Sequence, residues 1–273
     1  MFTSLHFFVL MIVFKTDQDI EKMRISADLL GRTHGEVAKL LKPGVMTKDL
    51  DKVAHDFIHD NGAKPSFLNY KGFPATLCIS VNDVVVHGFP SNYVLKEGDI
   101  VSIDCGVYLN GFHADSAYSY GIGKITPDAK KLLSVTKDSL FLAIEQVKPY
   151  ARIGDIGFAV QSFVQKNGFS VVRELTGHGV GKNLHEEPDV PNYGRKGNGV
   201  MIRNGMTLAI EPMVNMGKKE IYQERDGWTI RTKDHLPSAH FEHTVALYNN
   251  QALVLTTFKY IEEVIAKAEG AIC

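Results

Sequence analysis

Residues 100–120 read IVSIDCGVYLNGFHADSAYSY, and this stretch decides the fold predicted for the chain. Two runs rich in β-branched and aromatic residues, Ile100–Tyr108 and Phe112–Tyr120, flank the dipeptide Asn110-Gly111. Asn-Gly between two such runs is the strongest short-range signal of a β-hairpin with a two-residue turn. The stretch therefore predicts an antiparallel pair of strands.

The predicted hairpin also fixes the relative position of two aspartates. With a two-residue turn, Asp104 faces Ala117, and the same register places Asp115 opposite Gly106. Both carboxylates then lie on one face as diagonal neighbours, with Cβ atoms roughly 7 Å apart or less. Carboxylates among apolar residues resist ionisation unless a cation lies between them. The pair predicts a divalent metal site, and the alternative is two solvated aspartates on an open sheet face.

A long internal repeat lies on either side of the hairpin. Residues 41–62, LKPGVMTKDLDKVAHDFIHDNG, align without gaps at an offset of 106 with residues 147–168, VKPYARIGDIGFAVQSFVQKNG. The first copy contains a predicted helix, Thr47–Asp60. Another amphipathic helix precedes it, starting at a capping box of Thr16 and Asp19 and ending before Pro43-Gly44. The match favours duplication of a half-domain. The alternative is two independent helices that share similar ends.

Further strands are predicted at Leu77–Val86, Met206–Ile210 and His240–Tyr248. Helices packed on a mostly antiparallel, curved sheet make an α+β architecture. Because no linker or change of composition divides the chain, residues 16–273 are predicted to form one domain, with half-repeats at about 16–125 and 126–265.

The composition excludes several classes of protein. The 273 residues include 30 Lys and Arg against 31 Asp and Glu, so no global basic field exists to hold nucleic acid. Three cysteines without a C-x-x-C spacing do not indicate a disulfide framework or a four-cysteine zinc site, and they fit a reducing compartment.

The apolar start, MFTSLHFFVLMIVF over residues 1–14, is too short for a membrane-spanning helix. We expect residues 1–15 to be an N-terminal extension, with Met11 as an alternative start, and the competing interpretation is a weak export signal.

Four more segments carry candidate ligands or catalysts on or beside apolar strands. His178 and His185 lie in the glycine-rich segment LTGHGVGKNLHEEP, residues 175–188. Glu211, Glu242 and His87 lie in MTLAIEPM, HFEHTVAL and VVVHGFP. Each has an ordinary alternative: a bystander histidine in a surface loop, a glutamate paired with Lys or Arg, or a satisfied core histidine. Together, two Asp, two Glu and one His suit a two-metal site for Mn, Fe, Co or Zn.

Eight motifs give the chain a close resemblance to a known family. They are DIEKMR, CISVNDVVVHGFP, GDIVSIDCG, GFHADSAYS, GHGVGKNLHEEP, GMTLAIEPMV, DGWTIRTKD and FEHTVAL. From about Asp19 to about Val264 the sequence resembles the type I methionine aminopeptidases of the bacterial kind. The resemblance implies the pita-bread fold, in which two pseudo-symmetric halves form a curved antiparallel sheet covered by helices.

The resemblance also implies the residues of the site. The five ligands of two divalent ions (Co, Mn, Fe or Zn) map onto Asp104, Asp115, His178, Glu211 and Glu242. The catalytic residues map onto His87, His185 and Glu211, and the pocket for the methionine side chain maps onto Tyr70, Phe73, Cys78, His87 and Trp228. Two positions depart from the family pattern, because Phe67 stands where a small Cys is usual and Leu184 where Phe is frequent. A monovalent cation is expected near Asn82, Val84 and Ser238.

The implied activity is metal-dependent removal of the N-terminal methionine from nascent proteins and peptides, with a small second residue. Glu211 is expected to move the proton of the attacking water, His185 to stabilise the oxyanion and His87 to bind the substrate amide. The alternatives are Xaa-Pro aminopeptidase or prolidase activity and a non-catalytic pita-bread binding protein.

The same resemblance implies a cytoplasmic monomer without DNA or membrane partners. Its partners would be nascent N-termini and, transiently, the ribosome. A ribosome contact would use the basic residues between Lys218 and Lys233, although four interleaved acids favour a solvated charged loop.

Overall fold

The computed structural model describes residues 11–270 of the chain. Residues 1–10 of the expected extension 1–15, and Cys273, lie outside the described residues. Within them the helices are α1 Asp17–Ala38, α2 Thr47–Asp60, α3 Pro127–Ile144, α4 Ile153–Lys166 and α5 Lys259–Gly270, with one 3₁₀ turn at Tyr70–Gly72. None of these helices is both long and apolar enough to cross a membrane.

Fifteen strands are assigned in the described residues. They are β1 Lys64–Pro65, β2 Leu77–Val81, β3 Val84–Val86, β4 Ile100–Leu109, β5 Phe112–Gly121, β6 Ser170–Val171, β7 Thr176–Gly179, β8 Glu186–Pro191, β9 Thr207–Ile210, β10 Met213–Asn215, β11 Ile221–Gln223, β12 Ile230–Thr232, β13 Ser238–His240, β14 His243–Tyr248 and β15 Gln251–Val254. Every pairing is antiparallel, as predicted.

Hydrogen bonding divides these strands into four sheets rather than one. Strand β4 pairs with β1, β2 and β5, while β15-β14-β9-β7-β8 form a second sheet, and two three-stranded sheets are β13-β10-β6 and β11-β12-β3. The β4–β5 hairpin has the predicted register, since Asp104 pairs with Ala117 and Gly106 with Asp115. The two-residue turn sets this register locally, which is why the sequence sufficed to predict it.

Both copies of the internal repeat fold alike. Helices α2 and α4 each have 14 residues at the offset of 106, and each is followed by a short strand, β1 or β6. Their C-caps are Asn61 and Asn167, whose side-chain amides donate to Phe57 O and Phe163 O at 2.8 and 2.9 Å.

Three predicted boundaries are wrong. Helix α1 begins at the predicted capping box of Thr16 and Asp19, but it ends at Ala38 rather than just before Pro43. The strand predicted over Leu77–Val86 is two strands, because Asn82 has a φ of +54° and turns the chain. The strand predicted over His240–Tyr248 is broken after His240, so His240, Glu242 and Thr244 do not alternate along one strand as they would if it were continuous.

The break after His240 lets β13 and β14 follow the hairpin strand β5. Glu242 N donates to Ala117 O at 2.9 Å, and Ser116 Oγ donates back to Glu242 O at 2.9 Å. Farther along, Asp115 N donates to Thr244 Oγ1 at 3.1 Å. These bonds bring the carboxylate-bearing residues of two distant segments together.

Candidate metal centre and active site

The hairpin places Asp104 and Asp115 side by side in the interior. Asp115 is 4% exposed, and one carboxylate oxygen of each residue, Oδ1, is buried without a hydrogen-bond partner. Burial, and then the charge of Asp115, raise the pKa of Asp104 well above its usual value. Burial raises the pKa of Asp115 to about 7. Such a pair is costly when ionised and calls for a cation.

His178 lies on β7, where glycines on both sides keep the strand close to its neighbours. A Cβ on Gly177 would lie 2.3 Å from Ala209 O, and one on Gly179 would lie 2.3 Å from Glu187 O. The ring Nδ1 of His178 is 2.9 Å from Gly179 O, which can only accept, so Nδ1 carries the proton. The free Nε2 is 3.6 Å from Glu211 Oε1 and 3.9 Å from Asp115 Oδ2, as expected of a metal ligand.

Glu211 and Glu242 complete the cluster, and each lies at the end of a strand. Glu211 follows β9 directly, and Glu242 fills the break between β13 and β14. Burial, and then the charge of Asp115, raise the pKa values of both carboxyls well above normal. Glu242 Oε1 is buried without a hydrogen-bond partner.

Donor atoms of Asp115, His178 and Glu242 all lie within 4.8 Å of one another. Asp104 and Glu211 adjoin this set, since Asp104 is the diagonal neighbour of Asp115 and Glu211 contacts His178. Four carboxylates, three of which (Asp104, Asp115 and Glu242) have a buried oxygen without a hydrogen-bond partner, and one neutral imidazole fit a divalent-metal centre, because the ions would supply the missing partners and charge.

His240 was not predicted as a site residue, yet it lies beside the centre. Its Nε2 lies 3.5 Å from Glu211 Oε2, the side chain is buried, and burial lowers its pKa to about 3. The signal available in the sequence was its position two residues before Glu242.

Two further histidines border the centre. His185 lies beside His178, with ring centroids 4.1 Å apart, and its Nδ1 is 2.8 Å from Tyr70 OH. His87 adopts a left-handed backbone, with a φ of +58°, which is uncommon for a residue with a side chain and recurs at functional sites. Its ring stands edge-on to Trp228 at 6.1 Å.

One cavity of about 330 Å³ is lined by all thirteen residues that the sequence placed in the site. It is also lined by six residues that were not predicted: Lys71, Val86, Glu174, Leu175, Thr176 and Met213.

Another part of the wall of this cavity is apolar and aromatic. Phe67, Phe73, Ala75, Cys78 and Leu184 are buried together, with Tyr70, Phe89 and Trp228 packed against them. Phe67 fits because Gly106 has no side chain, since a Cβ there would lie 2.8 Å from Phe67 Cε1. The two departures from the family pattern, Phe67 and Leu184, are therefore neighbours in the same wall.

The comparison with protein families matches residues 21–249 to the model of metallopeptidase family M24. A protein named methionine aminopeptidase from Clostridium perfringens is 49% identical over 249 residues, which cover 91% of this chain and 100% of that protein. The crystal structure of methionine aminopeptidase from Rickettsia prowazekii superposes with a TM-score of 0.89 at 42% identity, covering 90% of this chain and 100% of that one.

The prolidase of Pyrococcus furiosus, at 21% identity and a TM-score of 0.74, shares the fold, and the match covers 90% of this chain and 65% of that one. The predicted α+β pita-bread fold is confirmed. With a match that spans most of its length, the chain belongs to metallopeptidase family M24.

Proposed function

We propose that this protein removes the N-terminal methionine from nascent proteins and peptides whose second residue is small. The observation that carries the proposal is the junction of two unlike surfaces in one cavity. Four carboxylates and His178 line one part of it, and an apolar, aromatic wall adjoins them, since Cys78 in this wall is the strand partner of Asp104. A substrate held by its side chain in the wall would present its first peptide bond to the carboxylates.

The ions would be held by Asp104, Asp115, His178, Glu211 and Glu242. Two divalent ions, chosen from Co, Mn, Fe and Zn, would supply a water of lowered pKa and polarise the scissile carbonyl. The monovalent cation near Asn82, Val84 and Ser238 stays a prediction. It is supported by the proximity of two of these residues, because Ser238 N donates to Asn82 O at 2.9 Å.

The roles of the side chains follow from their surroundings. Glu211 accepts the proton of the attacking water and passes it to the leaving amine, a role that suits a carboxylate lying between His178 and His240 in the cavity. His185, whose Nδ1 is engaged by Tyr70, presents Nε2 to the oxyanion of the tetrahedral intermediate. His87 binds the substrate amide from the edge of the pocket.

The apolar wall selects the first side chain. Tyr70, Phe73, Cys78 and Trp228 offer aromatic faces and one sulfur, which suit an unbranched thioether. Phe67 and Leu184 narrow the pocket for the first side chain, so we include them among the proposed substrate-binding residues.

The proposal extends to the domain organisation, oligomeric state, compartment and partners of the protein, which the family resemblance implies. Residues 16–273 act as one catalytic domain, a monomer in the cytoplasm, on nascent N-termini and without DNA or membrane partners. Contact with the ribosome would use the basic residues between Lys218 and Lys233. Arg231 in this segment is already paired with Asp83 and Glu224, which weakens that part of the proposal.

Two other functions remain as alternatives. Xaa-Pro aminopeptidase or prolidase activity is favoured by the fold shared with a prolidase. A binding-only role is disfavoured because all five candidate ligands are present and line one cavity.

The deciding experiment uses metal-stripped protein reloaded with Mn²⁺ or Co²⁺, given Met-Ala-Ser and, separately, Ala-Pro-Ala. We expect the wild type to release methionine and the Asp104→Ala variant to release none. Cleavage of Ala-Pro-Ala instead would support the Xaa-Pro alternative. Metal binding without cleavage of either peptide would support the binding-only alternative.

A further inference from the structure

Lys15 is buried, although the residues beside it in the chain are exposed. Phe14 is 49% exposed, whereas the side chain of Lys15 is only 2% exposed. This reverses the usual preference of the two residue types, since lysine is almost never fully buried unless it is paired. Lys15 Nζ contacts the carboxylate of Glu186, whose side chain is 4% exposed, and donates to Val13 O at 3.0 Å.

Glu186 belongs to the segment that carries the two histidines of the site. It directly follows His185 and pairs with Gly179 across β7 and β8, and Gly179 directly follows His178. Because the strands are antiparallel, this pair makes His178 and His185 diagonal neighbours, and their ring centroids are 4.1 Å apart. The other oxygen of the same carboxylate, Oε1, accepts from Asn183 N at 3.1 Å and closes the turn before His185.

The space around the ion pair is closed. A Cβ on Gly181 would lie 2.5 Å from Lys15 Cε and 2.6 Å from Glu186 Oε1. The backbone of Lys15 is itself fixed, because Lys15 N donates to Gly205 O at 2.7 Å. The ammonium group thus has one location, and the carboxylate that it neutralises has no other cation within contact distance in the described residues.

We propose that Lys15 is a positioning residue for the hydrolysis, and that it acts through Glu186 to hold His185 in its working place. This inference rests on the proposed function. The segment before α1, which is far from the site in sequence, would then help to orient His185, the residue that stabilises the oxyanion. Without its partner, the buried carboxylate of Glu186 would turn toward water and take the adjoining turn with it.

The test compares Lys15→Met, Glu186→Gln and the double variant in the full-length chain. Lys52→Met is the matched control, because Lys52 forms an exposed ion pair with Asp56 on α2, far along the chain from these segments. Steady-state kinetics on Met-Ala-Ser in the Mn²⁺-loaded enzyme give kcat and KM separately. Hydrogen exchange of residues 181–186 in the metal-free protein gives a readout that does not depend on activity.

We expect Lys15→Met to lower kcat by about ten- to a hundredfold with little change in KM, because a small misplacement of a catalytic group has effects of this size. Exchange in residues 181–186 should be faster than in the wild type. The double variant, which leaves no unpaired charge, should recover most of kcat. Lys52→Met should change neither quantity, since exposed ion pairs contribute little.

An unchanged kcat and unchanged exchange in Lys15→Met would overturn the inference. So would a double variant as impaired as Lys15→Met, because the loss would then not arise from the unpaired carboxylate. The double variant also serves if Lys15→Met fails to fold. A wild type that releases no methionine would refute the proposed function, whereas the exchange comparison would still test the link between Lys15 and the turn.

Discussion

Tyr150 occupies in the second copy of the repeat the position that Gly44 occupies in the first, and both have left-handed backbones, with φ of +67° and +94°. The two copies of the repeat therefore share a backbone conformation, although one has glycine at this position and the other has tyrosine. Tyr150 is 84% exposed, so packing contributes little at this position.

From this relationship we expect Tyr150→Gly to raise the free energy of unfolding by about 0.5–1 kcal/mol, because glycine adopts positive φ without steric cost. Gly44→Ala, the corresponding change in the first copy, should lower the free energy of unfolding by about 1 kcal/mol, because alanine is strained at positive φ. Urea unfolding of the metal-loaded protein measures both. A less stable Tyr150→Gly variant would show that the tyrosine makes a stabilising contact that its exposure conceals.

Metal removal should make stability depend on the ionisation of the carboxylate cluster. The pKa of Asp115 is raised to about 7 in the folded chain, so between about pH 4 and pH 7 the folded state holds a proton that the unfolded state has released. The free energy of unfolding of the metal-free protein therefore falls as pH rises through this window, because Asp115 must ionise while buried. We expect metal-free Asp115→Asn to gain stability relative to metal-free wild type over the same window, by up to about 4 kcal/mol.

The comparison is made by urea unfolding in the presence of a chelator, with exposed Asp60→Asn as the control. Adding Mn²⁺ should stabilise the wild type more than Asp115→Asn. A stability difference that does not change with pH would contradict the burial of an ionisable cluster.

Tyr70→Phe should separate catalysis from binding. The variant removes the hydroxyl that contacts His185 Nδ1 at 2.8 Å but keeps the stacked ring, whose centroid lies 5.2 Å from that of His185. We expect kcat on Met-Ala-Ser to fall about tenfold while KM changes little, because the orientation and tautomer of His185 are no longer fixed. Tyr193→Phe, at a partly exposed tyrosine that lies outside this cavity, is the control. An unaltered kcat in Tyr70→Phe would remove this hydrogen bond from the mechanism.

Phe67→Ala should widen the pocket for the first side chain. The ring of Phe67 is 8% exposed and stands edge-on to Phe73 at 6.5 Å. Its removal should raise the ratio of kcat/KM for a Phe-Ala-Ser peptide to kcat/KM for Met-Ala-Ser by about tenfold, because changes in the fit of an apolar pocket alter specificity by about this factor. Phe141→Ala, at an aromatic residue 41% exposed, is the control. An unchanged ratio would mean that Phe67 contacts no part of the bound side chain.

Much of the site was predictable because its signals are local. The register of β4 and β5 follows from the turn Asn110-Gly111, and a turn of two residues is enough to predict that Asp104 and Asp115 lie together. The helix α2 begins and ends at the predicted residues, Thr47 and Asp60. The remaining ligand assignments came from the family motifs, and the structure brings all of those residues to one cavity.

The errors fall where distant segments decide the conformation. The break after His240 follows from bonds between Glu242 and the hairpin residues Ala117 and Ser116, more than 120 residues earlier. No periodicity within residues 240–248 reports such a partner, so the sequence predicted one continuous strand.

By itself, then, the sequence determined the local elements, the family and the chemical types at the centre, because turns, capping residues and motifs act over a few residues. Only the tertiary structure decided which polar groups are buried and what they meet. His240 beside Glu211, and Lys15 against Glu186, are contacts between segments that come together only in the folded chain. The physical reason is that the cost of burying a charge depends on its partner, and the partner is chosen by packing rather than by position in the chain.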